Sequence, residues 1–107
     1  DLMIDVRFLP NPFYDPAMRA LTGNDETVRD FVLGNDVTKD FMKAWERLLD
    51  VVMPGYVAEG KSQLSIAVGC TGGQHRSVAI ANATADYLKG QGYRTVTSHR
   101  DLGLVRG

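Results

Sequence analysis

The chain has 107 residues, the size of one modest domain, and its 44% hydrophobic and 23% charged residues are the make-up of an ordinary globular protein. No apolar run approaches the roughly 20 residues a membrane helix needs, and a formal net charge of -1 gives no global attraction to nucleic acid or an acidic membrane. The single cysteine, Cys70, excludes a disulfide within the chain and, with no secretory signal in view, points to a reducing compartment, the cytoplasm.

Asp1 to Val6 reads directly as a strand with no initiator methionine, so the chain is expected to be one domain of a longer protein. The apolar run continues to Leu9. Strand alternation sets Asp5, Arg7 and Leu9 on one face and Ile4, Val6 and Phe8 on the other. Opposite charges on one strand face serve either as an ion pair at a solvated edge or as the polar wall of a binding site. Pro10, Pro12 and Pro16 then make Leu9 to Pro16 a stiff loop, either a connector or a ligand-holding segment with little ordering cost.

Thr22-Gly23-Asn24-Asp25 is a turn before a short helix, Glu26 to Leu33, which Gly34-Asn35-Asp36 stops. Phe41, Ala44, Trp45, Leu48, Leu49 and Val52 recur on one face of a longer helix, which Pro54-Gly55 ends or kinks. Gln63 to Gly69 is a second strand, with Leu64, Ile66 and Val68 alternating with Ser65, Ala67 and Gly69. The small residues predict a helix packed closely on their side. Ser77 to Lys89 is a helix that buries Val78, Ala81, Ala85 and Leu88 and ends at Gly90-Gln91-Gly92. Arg94 to Ser98, rich in Thr and Val, is a third strand. The last strand-helix-strand unit implies parallel pairing. The predicted fold is a small three-layer α/β domain with a short, mainly parallel sheet and flanking helices.

Ligands of open α/β sheets bind beyond the carboxyl ends of the strands. Three loops leave those ends: Pro10 to Pro16, Cys70 to Arg76, and His99 to Asp101. The middle one, Cys70-Thr71-Gly72-Gly73-Gln74-His75-Arg76-Ser77, carries the strongest signal. Thr71-Gly72-Gly73 lets the backbone turn with positive φ, and successive amides in such a turn form an anion-binding nest. The following helix adds unpaired amides and its dipole, and Arg76 supplies a fork of donors suited to phosphate. Ser77 either caps the helix or donates to an oxyanion. His75 reads as a structural or solvated histidine rather than a catalyst.

The same residues spell Cys, five residues, Arg, Ser, as in the phosphate loop of cysteine-dependent phosphatases. There a thiolate attacks phosphorus while amides and the arginine hold the oxygens. On that alternative Cys70 and Arg76 are catalytic and Asp15 or Asp101 is the nominee for general acid. Otherwise Cys70 is a small buried residue at a strand end. No metal-ligand spacing exists among His75, His99 and Cys70, and no Walker loop is present.

Three stretches are together specific: Asp5-Val6-Arg7-Phe8-Leu9-Pro10-Asn11-Pro12, Leu21-Thr22-Gly23, and Gly69 to Val78. Over nearly its whole length the chain resembles the C-terminal domain of the RapZ/YvcJ family of bacterial nucleotide-binding proteins and RNase adaptors. The resemblance implies a phosphofructokinase-like α/β subdomain that senses a ligand and binds partners. It implies no cofactor in this domain, with ATP or GTP bound and slowly hydrolysed by an N-terminal P-loop domain outside this chain. In the family's best-understood branch the ligand is glucosamine-6-phosphate and the partners are small RNA and an endoribonuclease, and the resemblance implies a homo-oligomer. Carried over by residue, the resemblance implies a phosphosugar site of Asp5, Arg7, Thr71, Gly72 and Arg76; with Asn11, Gly73, His75 and Ser77 from the same loops these are the candidate ligand-binding residues. Phe13 stands where the amino-sugar-sensing branch has a histidine. From Lys89 onward the chain has four Lys/Arg and one Asp, where that branch has a basic cluster for RNA.

Overall fold

The computed structural model describes residues 1–100. In chain order it holds β1 (Leu2–Asp5), a 3-10 turn (Pro12–Tyr14), α1 (Glu26–Leu33), α2 (Asp36–Ala58), β2 (Ile66–Gly69) and α3 (Arg76–Gly90). β1 and β2 pair in parallel, with Leu2 opposite Ile66 and Asp5 opposite Gly69. Parallel neighbours need a crossover, and α1 and α2 supply it.

The expected small α/β domain with a parallel sheet is therefore present, and the parallel pair is the first unit of the chain rather than the last. Arg94 to Ser98 does not form the predicted third strand: it joins no ladder, and Val96 is 92% exposed. A cavity of about 590 Å3 lies between this segment, β2 and α3. Asp101 and the tail after it lie outside the described residues.

All three helices reach the sheet face formed by Leu2, Ile4, Ile66 and Val68. Near the carboxyl ends of the strands, Val28 and Val32 of α1 and Ala79 and Ile80 of α3 form a core with Val6, Leu9 and Met18. Toward the other end, Trp45 and Leu49 of α2 meet Leu88 of α3 beneath Leu2 and Ile66. The small-residue face behaves otherwise than predicted: Ser65, Ala67 and Gly69 are exposed, and no helix covers them among the described residues. Helix packing follows the branched residues, whose burial returns more free energy than that of alanine or glycine.

α1 and α2 are separated only by Gly34 and Asn35, because Asn35 stops one helix and starts the next. Its side chain accepts the Val37 N–H (2.9 Å). α2 also runs through Pro54 to Ala58. Proline removes one donor, but so near the end of a long helix the remaining ladder carries the chain past it. The buried stripe of α2 is narrower than the periodicity predicts. Trp45 and Leu49 are inside, Phe41, Met42 and Met53 half-buried, and Ala44 and Leu48 exposed. α3 closes as expected, with Gly92 at φ 93° and the Tyr93 N–H returning to Leu88 O (3.0 Å).

Candidate functional site

β1 ends at Asp5, earlier than alternation predicts. The Asp5 carboxylate accepts the backbone N–H of Arg7 (2.9 Å) and its Nε–H (2.7 Å). A short acidic side chain that captures the amide two residues on offers the backbone a turn in place of a ladder. Asp5 and Arg7 are thus brought together, as expected, but by a turn rather than by a shared strand face. Both side chains are exposed, at 52% and 66%. The Arg7 amide holds the Asp5 carboxyl below its ordinary range, helped by the guanidinium of Arg7 and, from farther off, Arg76.

The proline loop follows. Asn11 caps the 3-10 turn by accepting the Phe13 N–H (3.1 Å), so its oxygen already has a partner. Pro12 is fully buried. Arg19 donates to Phe13 O (2.9 Å) and lays its guanidinium over the Phe13 ring (4.9 Å). Phe13 and Tyr14 remain exposed on the outer side of the loop. Asp15 Oδ1 accepts the Ala17 N–H (2.9 Å), which closes the next turn.

The loop after β2 turns as its glycines predict: Gly72 and Gly73 are both left-handed, at φ 81° and 69°. A Cβ built on Gly72 meets nothing within 4 Å, so the space in front of it is open. α3 begins at Arg76 with His75 as N-cap, and His75 makes no side-chain cap bond. Ser77 is therefore inside the helix and not its cap. The cap acceptor is Cys70, whose Sγ receives the Ser77 N–H at 3.3 Å. The Cys70 thiol faces Thr71 O at 3.7 Å. Thr71 is exposed.

His75 and Arg76 are anchors of this loop. His75 is buried, and its Nε2 lies 3.2 Å from Arg19 O; since a carbonyl only accepts, Nε2 carries the proton. Arg76 is 3% exposed. Its Nη1 donates to Arg7 O and to Leu9 O (3.2 Å), which ties the end of β1 to the start of α3. Its Nε–H is buried with no partner. A buried donor left unpaired is costly, and charged ones cost more. The proline loop and the Cys70–Ser77 loop thus meet through one guanidinium. From the third loop, His99 reaches α3 through Asn82 (3.0 Å).

Gly23 is the residue whose importance sequence reasoning understated. Its N–H donates to Gln74 O (2.8 Å). A Cβ there would stand 2.4 Å from His75 O and 2.6 Å from Ala79 N. The Thr22-Gly23 turn is a brace under the Cys70–Ser77 loop, and a glycine between Thr and Asn reads locally as a turn and nothing more. Among the described residues no cluster of His, Cys, Asp or Glu could hold a metal ion, and no helix is long and apolar enough to cross a membrane.

With this geometry in hand, comparison with known proteins is specific. The model of the RapZ C-terminal domain matches residues 1–103. A nucleotide-binding protein of Syntrophomonas wolfei subsp. wolfei is 55% identical over 102 residues, covering 95% of this chain and 35% of its own. The nucleotide-binding protein TTE1834 of Caldanaerobacter subterraneus subsp. tengcongensis is 56% identical over 103 residues (96% and 36%). One from Limosilactobacillus reuteri is 53% identical over 102 (95% and 35%). The chain spans about a third of the length of these relatives.

Proposed function

Because this chain belongs to the RapZ C-terminal domain family, we propose that it is the ligand-sensing, partner-binding part of a longer nucleotide-binding protein. Its Cys70–Ser77 loop takes the phosphate of a small phosphorylated metabolite, an amino-sugar phosphate such as glucosamine-6-phosphate. The observation that carries this reading is Arg76, held in place by two backbone carbonyls with its buried Nε–H unpartnered. It sits at a helix N-terminus behind two left-handed glycines. An oxyanion there completes the unpaired donor, gains the loop amides and meets the positive end of the helix dipole.

On this reading the amides of Thr71, Gly72 and Gly73, together with Arg76 and Ser77, hold the phosphate. Asp5, kept ionised by Arg7, faces the sugar ammonium, and Arg7 closes the polar wall. Asn11 and His75 act by fixing the two loops, since both already have partners. The relatives are named for a nucleotide, which on this reading is ATP or GTP held in the two thirds of their length outside this chain, with no cofactor in this domain. RNA, a ribonuclease and further copies of the protein are the expected macromolecular partners, in the cytoplasm.

Calorimetry with glucosamine-6-phosphate, glucose-6-phosphate and inorganic phosphate tests the proposal. The amino sugar should bind most tightly. Asp5→Asn should reduce it to the affinity of glucose-6-phosphate, and Gly72→Ala should weaken all three by straining the nest. Equal affinities that ignore both substitutions would sink the reading. The lowered carboxyl of Asp5 sets the pH sense: selectivity for the ammonium persists below the usual carboxylate range and fades as pH falls through the lowered value.

The phosphatase alternative has one observation in its favour, the Cys70 sulfur at the mouth of α3. Against it, Arg76 Nη1 is occupied by Arg7 O and Leu9 O, and the Asp15 carboxylate is tied into a turn. Hydrolysis of p-nitrophenyl phosphate that Cys70→Ser abolishes would favour the enzyme. Unchanged phosphate binding in Cys70→Ser, with no turnover in either protein, favours the sensor.

A further inference from the structure

β2 has two edges, and one is unused. On the β1 side, Leu2 N–H donates to Ser65 O (3.0 Å) and Val6 N–H to Gly69 O (2.8 Å). In a parallel ladder alternate residues face the same neighbour, so the peptide groups of Ser65, Ala67 and Gly69 point at β1. Those of Ile66 and Val68 point the other way, where no ladder partner meets them among the described residues. That edge borders the cavity of about 590 Å3, whose far wall is the chain from Tyr93 to Arg100.

This far wall is held at its ends and largely exposed between them. At one end the Tyr93 N–H returns to Leu88 O, and Tyr93 packs on the Trp45, Leu49 and Leu88 core. At the other, His99 meets Asn82 Oδ1. Asn82 Nδ2 is already donating to Asn24 (2.7 Å), so His99 carries the donor hydrogen on Nε2. α3 runs back along β2, so these anchors lead the segment in the same direction as β2. Between them, Arg94, Val96, Thr97 and Ser98 are exposed. Their Thr and Val content suits a strand. Across the cavity, Ala81 and Ala85 of α3 present small side chains.

We propose that Arg94 to Ser98 is a strap with a second, closed position, in which it becomes the third parallel strand on the free edge of β2. In that position Val96 enters the cavity over Ala81 and Ala85, and the peptide groups of Ile66 and Val68 pair with the strap. Left-handed Gly92 is the hinge. Closure removes an unpaired strand edge and an exposed branched side chain at once. It also fills the cavity and sets where His99 and Arg100 stand beside the anion loop. The proposal does not depend on what that loop binds.

Amide exchange followed by NMR tests it, with the β1-facing amides of Ala67 and Gly69 as internal reference. In the unmodified protein the Ile66 and Val68 amides should be protected to within roughly ten-fold of the reference. Val96→Asp should speed their exchange by at least about ten-fold and leave Ala67 and Gly69 unchanged, while Val96→Ile should preserve protection. Since Val96 is exposed in the open position, the aspartate leaves that state intact. Exchange of Ile66 and Val68 at the rate of open loops in the unmodified protein overturns the proposal. So does protection that persists in Val96→Asp, because something other than the strap then covers the edge.

Discussion

At the carboxyl ends of β1 and β2 the molecule is tied by buried polar groups: Arg76 to Arg7 O and Leu9 O, His75 to Arg19 O, and Gly23 to Gln74 O. Toward the amino ends, Trp45, Leu49 and Leu88 pack under Leu2 and Ile66, and Trp45 Nε1 donates to Thr84 Oγ1 (3.0 Å), whose hydroxyl donates on to Ile80 O (2.7 Å) within α3. Polar ties to the backbone are directional, so they hold the loops in one shape. Apolar contacts are not, and they tolerate small shifts at modest cost. The end that carries the candidate site is the one fixed by hydrogen bonds, and the other end supplies cohesion.

The sharpest way to break this contrast is Gly23→Ala. The added Cβ would meet the His75 carbonyl and the Ala79 amide, both backbone, so the start of α3 must move. A loss of about 3 kcal/mol or more is expected in urea denaturation, together with loss of phosphate binding. A midpoint close to the unmodified protein would show that the brace is slack. Trp45→Phe should cost less, about 1–2 kcal/mol, from lost contact and one lost hydrogen bond. Phosphate affinity should not change, and a change there would mean that the two ends are coupled.

Thr38→Val is expected to act in the opposite direction. Thr38 is fully buried in the first turn of α2, and its hydroxyl has no partner. Replacing it with a branched apolar group of the same shape should raise the urea midpoint by about 1 kcal/mol of stability with no change of slope. The smallest effect is spectroscopic. Tyr87 donates to Asp50 at the cohesive end, and this bond, with desolvation and the nearby Asp50 charge, pushes its phenol up to about 12. A raised value means the contribution is whole below the ordinary value near 10 and disappears as pH climbs through about 12. Ultraviolet titration should show one tyrosine ionising late, and Asp50→Asn should bring it back toward 10.

Much of this was legible from residue order. Helix α1 begins and ends where its periodicity and the Gly34-Asn35 stop place it, β2 ends at Gly69, and the double glycine turns as two left-handed residues. What escaped depended on long-range partners. Nothing local distinguishes an Asp5 that continues a strand from one that folds back onto Arg7. Periodicity marked Leu48 and Ala44 as core because it reports an apolar stripe without reporting how wide the opposing surface is. Residue order marks Arg76 as a candidate ligand contact; its part in stapling β1 to α3 requires carbonyls 67 and 69 positions away. Arg94 to Ser98 has strand composition, but a ladder also needs a neighbour at the right distance.

The molecule contains a single tryptophan, 5% exposed, stacked on Phe41 and hydrogen-bonded across to Thr84 of α3. Its emission should therefore lie at the short-wavelength end of the indole range and report one thing, the seam between α2 and α3. Metabolite arriving at the far loops should leave that colour untouched, whereas anything that parts the two helices should turn it red. Intrinsic fluorescence alone can thus separate occupancy of the site from opening of the scaffold, with no label attached.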